Sequence, residues 1–82
     1  MEFEWDAAKN AANRLKHGFD FGYAVRIFNG PVRRRIDPRT RSEIRIVATG
    51  QIEGLHIMVI YTRRGGRYCI ISARPARRNE RL

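Results

Sequence analysis

The sequence predicts an α+β domain, and three observations carry that expectation. The first thirty residues hold two segments of helical hydrophobic period, each opened by an Asp. After Pro31 the period drops to two, and Gly65-Gly66 separates two such period-two runs. Together they point to two N-terminal helices packed on one face of a four-stranded, mainly antiparallel sheet, followed by a short C-terminal helix.

Each element has its own justification. Phe3 and Trp5 alternate with Glu2 and Glu4, as in a short strand or an extended lead-in. Asp6 is placed to cap a helix over 7–17, whose narrow apolar stripe is Ala8, Ala12 and Leu15. Gly18 ends it, with Lys16 and His17 in the last turn, where cations suit the helix dipole. Asp20 caps a second helix over 21–28, with Phe21, Ala24, Val25 and Phe28 on its stripe, and Asn29-Gly30-Pro31 stops it. Strands are expected near 32–37, 43–49, 55–62 and 67–74, joined through Pro38 to Arg41, Gly50 to Gly54 and Gly65-Gly66. Residues 75–82 are basic and begin a third, short helix; Pro75 ends the preceding strand because it cannot donate to the ladder.

A turn at Gly65-Gly66 sets a register. Arg64 then faces Arg67, Arg63 faces Tyr68, Tyr61 faces Ile70, Val59 faces Ser72 and Ile57 faces Arg74. Alternation puts Met58, Ile60, Thr62, Cys69, Ile71 and Ala73 on a mostly apolar face, together with Ile44, Ile46 and Ala48. The helices are expected there. The opposite face would carry Tyr61, Arg63, Tyr68, Ser72 and Arg74 around Val59 and Ile70, with Arg45 beside them. Arg33 and Arg35 would join this platform, and Arg34 would point away from it.

The charge distribution favours a phosphate-bearing partner. Residues 1–30 sum to zero, and residues 31–82 hold thirteen Arg against four carboxylates, which is the whole net charge of +9. Arginine keeps its charge at any working pH and meets two phosphate oxygens at once. The other reading is a solvated sheet face whose alternating charges keep its edges from aggregating. Arg64 opposite Arg67, with Arg63 alongside, is nevertheless unfavourable unless an anion or a carboxylate neutralises it. Tyrosines among arginines suit single-stranded RNA, whose unpaired bases can stack.

The remaining composition narrows the classes. Eighty-two residues make one domain, 1–82, with a modest core. No run approaches the roughly 18 apolar residues of a membrane span, and no signal peptide opens the chain. Cys69 is the single cysteine, so no internal disulfide is possible and a reducing cytoplasm is the expected compartment. Cys69, His17 and His56 lack the spacing of a metal site, and no cofactor is expected.

Cutting RNA without a metal needs a base for the 2′-OH, cations for the phosphorane and an acid for the leaving oxygen. Arg45, Arg63 and Arg74 could supply the charge, and Tyr61, Tyr68 or Glu43 the proton chemistry. His17 is either a helix-dipole histidine or an acid or base reaching over the sheet edge. Arg33, Arg35, Arg67, Tyr68, Arg77 and Arg78 are candidates to hold the strand. Two other readings stand beside catalysis. One is a nucleic-acid-binding module without chemistry. In the other, the platform receives an acidic or amphipathic protein segment, since exposed Arg and Tyr also favour protein interfaces.

The ordered pieces resemble a known family. Phe3-Glu4-Trp5-Asp6, Lys9, Asn13, Lys16-His17-Gly18, Phe21, Ala24 and Phe28 are similar to the N-terminal signature of BrnT-type toxins. Arg45, Gly50, Tyr61-Thr62, Arg64, Ile70-Ile71-Ser72-Ala73-Arg74 and Ala76 fit the later part. The resemblance implies a RelE-like fold and a ribonuclease toxin of a type II toxin–antitoxin pair. It implies a BrnA-like ribbon-helix-helix antitoxin, a 2:2 complex and operator DNA bound through the antitoxin. It also implies catalysis by arginines and tyrosines rather than by paired histidines. Family members usually continue past the position of Leu82, so a short C-terminal helix is expected here.

Overall fold

The computed structural model describes residues 1–39 and 42–82; Thr40 and Arg41, in the expected Pro38 to Arg41 connection, lie outside the described residues. The chain runs β1 (Glu2–Trp5), α1 (Ala7–His17), α2 (Phe21–Ala24), a 3-10 segment (Val25–Asn29), β2 (Arg33–Ile36), β3 (Ile46–Ile52), β4 (Leu55–Arg64), β5 (Arg67–Pro75) and a 3-10 turn (Arg78–Glu80).

The caps form where the sequence places them. Asp6 accepts from the Lys9 N–H at 3.0 Å and Asp20 from the Tyr23 N–H at 2.9 Å. Gly18, at φ +82°, returns its N–H to the Arg14 carbonyl and ends α1. The second helix is shorter than expected, because the chain tightens to 3-10 geometry at Val25.

The sheet departs from the four-stranded antiparallel expectation. It has five strands in the order β1-β5-β4-β3-β2 and is mixed, with β1 parallel to β5. The lead-in is therefore a full edge strand, and Phe3 pairs with Tyr68 and Trp5 with Ile70. The expected C-terminal helix is a single 3-10 turn. Strand bounds also move: β3 starts at Ile46, and its connection to β4 is only the Glu53-Gly54 turn.

The Gly65-Gly66 turn forms with φ of +55° and +81°, and the register holds from Arg64↔Arg67 to Tyr61↔Ile70. There a bulge intervenes. Ile60 pairs with Ser72, Val59 with Ala73 and Met58 with Arg74, one residue out of the expected register. Past the end of β1, the Ala73 N–H goes instead to the buried Asn13 side chain of α1 at 3.2 Å.

This shift, with the packing of the helices, turns over the expected faces of β4 and β5. The bulge moves Ala73 onto the face of Tyr61 and sends Arg74 to the other. That leaves Ile57, Val59, Tyr61, Ile70 and Ala73 unbroken by charge, joined by Ala48 and Ile52. Phe21, Ala24 and Ile27 of the helical layer bury against them. Ile46 and Ala48 do face the helices, as expected, but alongside Tyr61 and Val59 rather than Met58 and Ile60.

Candidate nucleic-acid interface

The face away from the helices is open and basic. β2 brings Arg33 and Arg35 opposite Thr49 and Val47, and β5 brings Arg74 opposite Met58. Val47, Met58 and Ala76 are buried together with Ile60 packed against them, a small apolar floor beneath these cations. Two hollows indent this face. One, of about 370 Å3, is walled by Arg33, Arg35, Met58 and Glu80 among others; a second, of about 330 Å3, lies among Arg35, Val47, Ile60, Arg74 and Arg77.

Several of the guanidinium groups are held in place. Arg74 makes a two-pronged ion pair with Glu80, both prongs 2.8 Å long. The Arg77 N–H donates to the same carboxylate at 2.8 Å. These donors hold the Glu80 carboxyl down to about 2. Arg33 donates to the Arg81 carbonyl at 2.8 Å, so the C-terminal segment lies across part of the face. Asp37, 3% exposed, accepts from the backbone and guanidinium of Arg39, and these bonds keep its carboxyl below the usual range. Arg45 lines a neighbouring hollow with Ser42 and Glu43.

Tyr61, Arg63 and Tyr68 are on the other side of the sheet. Tyr61 is 1% exposed beneath the helical layer, and its ring stacks on Tyr68 at 4.5 Å with an interplanar angle of 7°. Phe28 meets both rings edge-on, and Arg63 lies over the outer ring at 5.3 Å. Arg34 donates from Nε to the Tyr61 hydroxyl at 3.0 Å and covers Phe28. Burial pushes the Tyr61 phenol up, against the opposing pull of Arg34. The expectation of one platform joining Tyr61, Arg63 and Arg74 is thus corrected: the bulge and the helices divide these residues between two faces.

The like-charge cluster at the hairpin is resolved within the chain. Arg64 makes a two-pronged pair with Glu43, at 2.8 and 2.6 Å, and Arg67 reaches Glu2 at 3.4 Å. Cys69 donates its thiol proton to Glu4 at 2.8 Å. The hairpin arginines therefore give no independent sign of an external anion.

A family model described as "Ribonuclease toxin, BrnT, of type II toxin-antitoxin system" matches residues 5–80. The chain belongs to the BrnT family. It is a ribonuclease toxin, with RNA as its substrate and an antitoxin as its partner. The match takes in every strand of the open face and the Glu80 clamp on it. No curated protein matches the chain. Among the described residues no helix is long and apolar enough to cross a membrane.

In this BrnT-family toxin, then, the structure groups Arg33, Arg35, Arg74 and Arg77 on one face, with Arg78 in the exposed turn beside them. His17 stacks on Phe19 and opens on a separate hollow of about 500 Å3 with Arg14, Tyr23 and Leu55. Burial, then the charges of Lys16 and Arg74, push its imidazole below the ordinary 6.5. Arg34 was not among the expected site residues. The period-two rule does separate it from Arg33 and Arg35, but the unbroken ladder expected from the sequence put Tyr61 and Tyr68 with those two, so its bond to Tyr61 was not foreseen.

Proposed function

We propose that this BrnT-family toxin is a metal-independent endoribonuclease whose substrate crosses the open sheet face. Arg33, Arg35, Arg77 and Arg78 hold phosphates, and Arg74 and Arg45 stabilise the charge that grows on the scissile one. The substrate's 2′-oxygen attacks the adjacent phosphorus and the bond to the 5′-oxygen breaks. The 2′-proton leaves through a phosphate oxygen and the 5′-oxygen takes a proton. The products are a 2′,3′-cyclic phosphate and a 5′-hydroxyl. The observation that carries this reading is the collection of four arginines around an apolar floor on a face the helices leave uncovered.

In this reading Tyr61, Arg63 and Tyr68 brace the sheet from behind, and His17 stands apart. Cleavage in the cytoplasm arrests translation and growth. A BrnA-like ribbon-helix-helix antitoxin neutralises the toxin in a 2:2 complex that binds operator DNA through the antitoxin.

Arg74→Ala tests the reading. Purified protein is incubated with labelled RNA in EDTA, and growth arrest is scored in cells. The wild type cleaves and arrests, and the variant does neither while keeping its circular dichroism. Full cleavage by a folded variant removes Arg74 from the chemistry. A second reading, binding without cleavage, draws on the burial of the Tyr61 phenol away from the open face. It predicts only a gel shift in the same assay.

A further inference from the structure

A carboxylate lies in the middle of this basic face. Both Glu80 oxygens sit 2.8 Å from the two terminal nitrogens of Arg74, and one of them also takes the Arg77 N–H. Its side chain is 19% exposed. The segment that carries it is otherwise basic: Arg77, Arg78 and Arg81 surround Glu80 in sequence, and Arg77 and Glu80 line the hollows of a face that already bears Arg33, Arg35 and Arg74. Like charges brought together this way repel. Glu80 and the bond from Arg33 to the Arg81 carbonyl offset that repulsion.

A carboxylate and a phosphodiester present the same pair of oxygens to a guanidinium fork. We propose that the Arg74 guanidinium and the Arg77 amide form a phosphate subsite for single-stranded RNA, filled in the free protein by the Glu80 carboxylate, which an incoming phosphate displaces. This rests on the reading that RNA crosses the open face.

The geometry suits such an exchange. Ala76 is buried and ties its N–H to the His56 carbonyl at 2.9 Å, so the chain is fixed up to that residue. Beyond it, Arg77, Arg78 and Arg81 are exposed, and little apolar area holds the segment down. Once a phosphate replaces Glu80, the repulsion is neutralised from outside, and Arg77 and Arg78 can close on the RNA backbone instead of on their own chain. The cost of displacing Glu80 lowers the affinity of the free protein by the fraction of time the cradle is open.

Removing the internal competitor should therefore tighten binding. The probe is a short 2′-O-methylated single-stranded RNA, which cannot be cleaved, followed by fluorescence anisotropy at neutral pH and fixed salt. Glu80→Gln is expected to bind about tenfold more tightly than the wild type. Glu53→Gln removes the same charge from the distant pair with Arg26 and is expected to leave affinity within about twofold. In an Arg74→Met background the Glu80→Gln gain should vanish. Equal effects of the two Gln variants, or a gain that survives Arg74→Met, overturns the subsite and leaves the RNA-binding face standing. Failure of every protein to bind, even at low salt, overturns the face itself. A readout that needs no substitution is the Glu80 carboxyl signal in NMR. It titrates near 2 in the free protein and in the ordinary carboxylate range once RNA is bound; an unchanged titration overturns the exchange.

Discussion

Protonating Glu80 removes the negative charge that Arg74 and the Arg77 amide both hold, and weakens the two-pronged pair. Its folded-state value, about 2, lies below the 4.5 of a free glutamate, so folding favours the ionised form. The resulting stabilisation is fully present above the unfolded value and is lost as pH falls from about 4.5 toward about 2. Asp37 and Glu43 are shifted the same way, by Arg39 and by Arg64. Thermal melts should therefore show the wild type losing more stability than Glu80→Gln over this acid range, while the slope the two proteins share comes from the other carboxyls. Identical slopes would mean that the Arg74 fork holds Glu80 no better than water does. At the same scale, Tyr61 shows how a polar group changes the reading of a face. Among arginines it reads as outward-facing, but Arg34 satisfies its hydroxyl at the rim of the core, so the ring can be buried.

The elements meet at close tolerances. At Gly50 on β3, a Cβ would lie 2.9 Å from the Ile27 Cβ and 3.1 Å from Val32 Cγ1, so the 3-10 segment packs directly on the strand backbone. Gly50→Ala is expected to destabilise the domain by about 1–3 kcal/mol, measured by urea denaturation, because neither neighbour is the far end of a flexible side chain. Local chemistry made several elements readable in advance. The Asp caps, the Gly18 stop and the Gly65-Gly66 turn each need only residues a few positions apart, and the ladder follows from the turn as far as Tyr61 and Ile70. The bulge beyond them was not readable: the Ala73 N–H is satisfied by Asn13, sixty residues away in sequence. The same holds for β1, whose parallel pairing with β5 leaves no mark beyond an alternation of two aromatics. Of the candidate site, Arg33, Arg35 and Arg74 do share a face, whereas only an unbroken ladder would have joined Arg74 to Tyr61, and the bulge parts them.

Across the whole molecule, charge and architecture divide together. The neutral first thirty residues make the edge strand and the helical layer, and the basic remainder makes the other four strands and the turn that lies on them. Affinity for RNA should therefore fall steeply with salt. Each phosphate contact on a single strand contributes about 0.7 to the slope of log K against log salt, so Arg35→Gln should flatten that slope by about this amount. An unchanged slope would move the RNA off the open face.

The pairing of β1 with β5 also sets an order of assembly. Glu4 and Cys69 are neighbours in the sheet although sixty-five positions separate them, and α1 meets β5 through the Asn13 bond to Ala73. β1 must wait for β5, about sixty residues later in the chain, and Arg74 arrives on β5. On the proposed reading, the RNA-facing surface of a nascent chain stays incomplete until β5 has emerged and paired with β1.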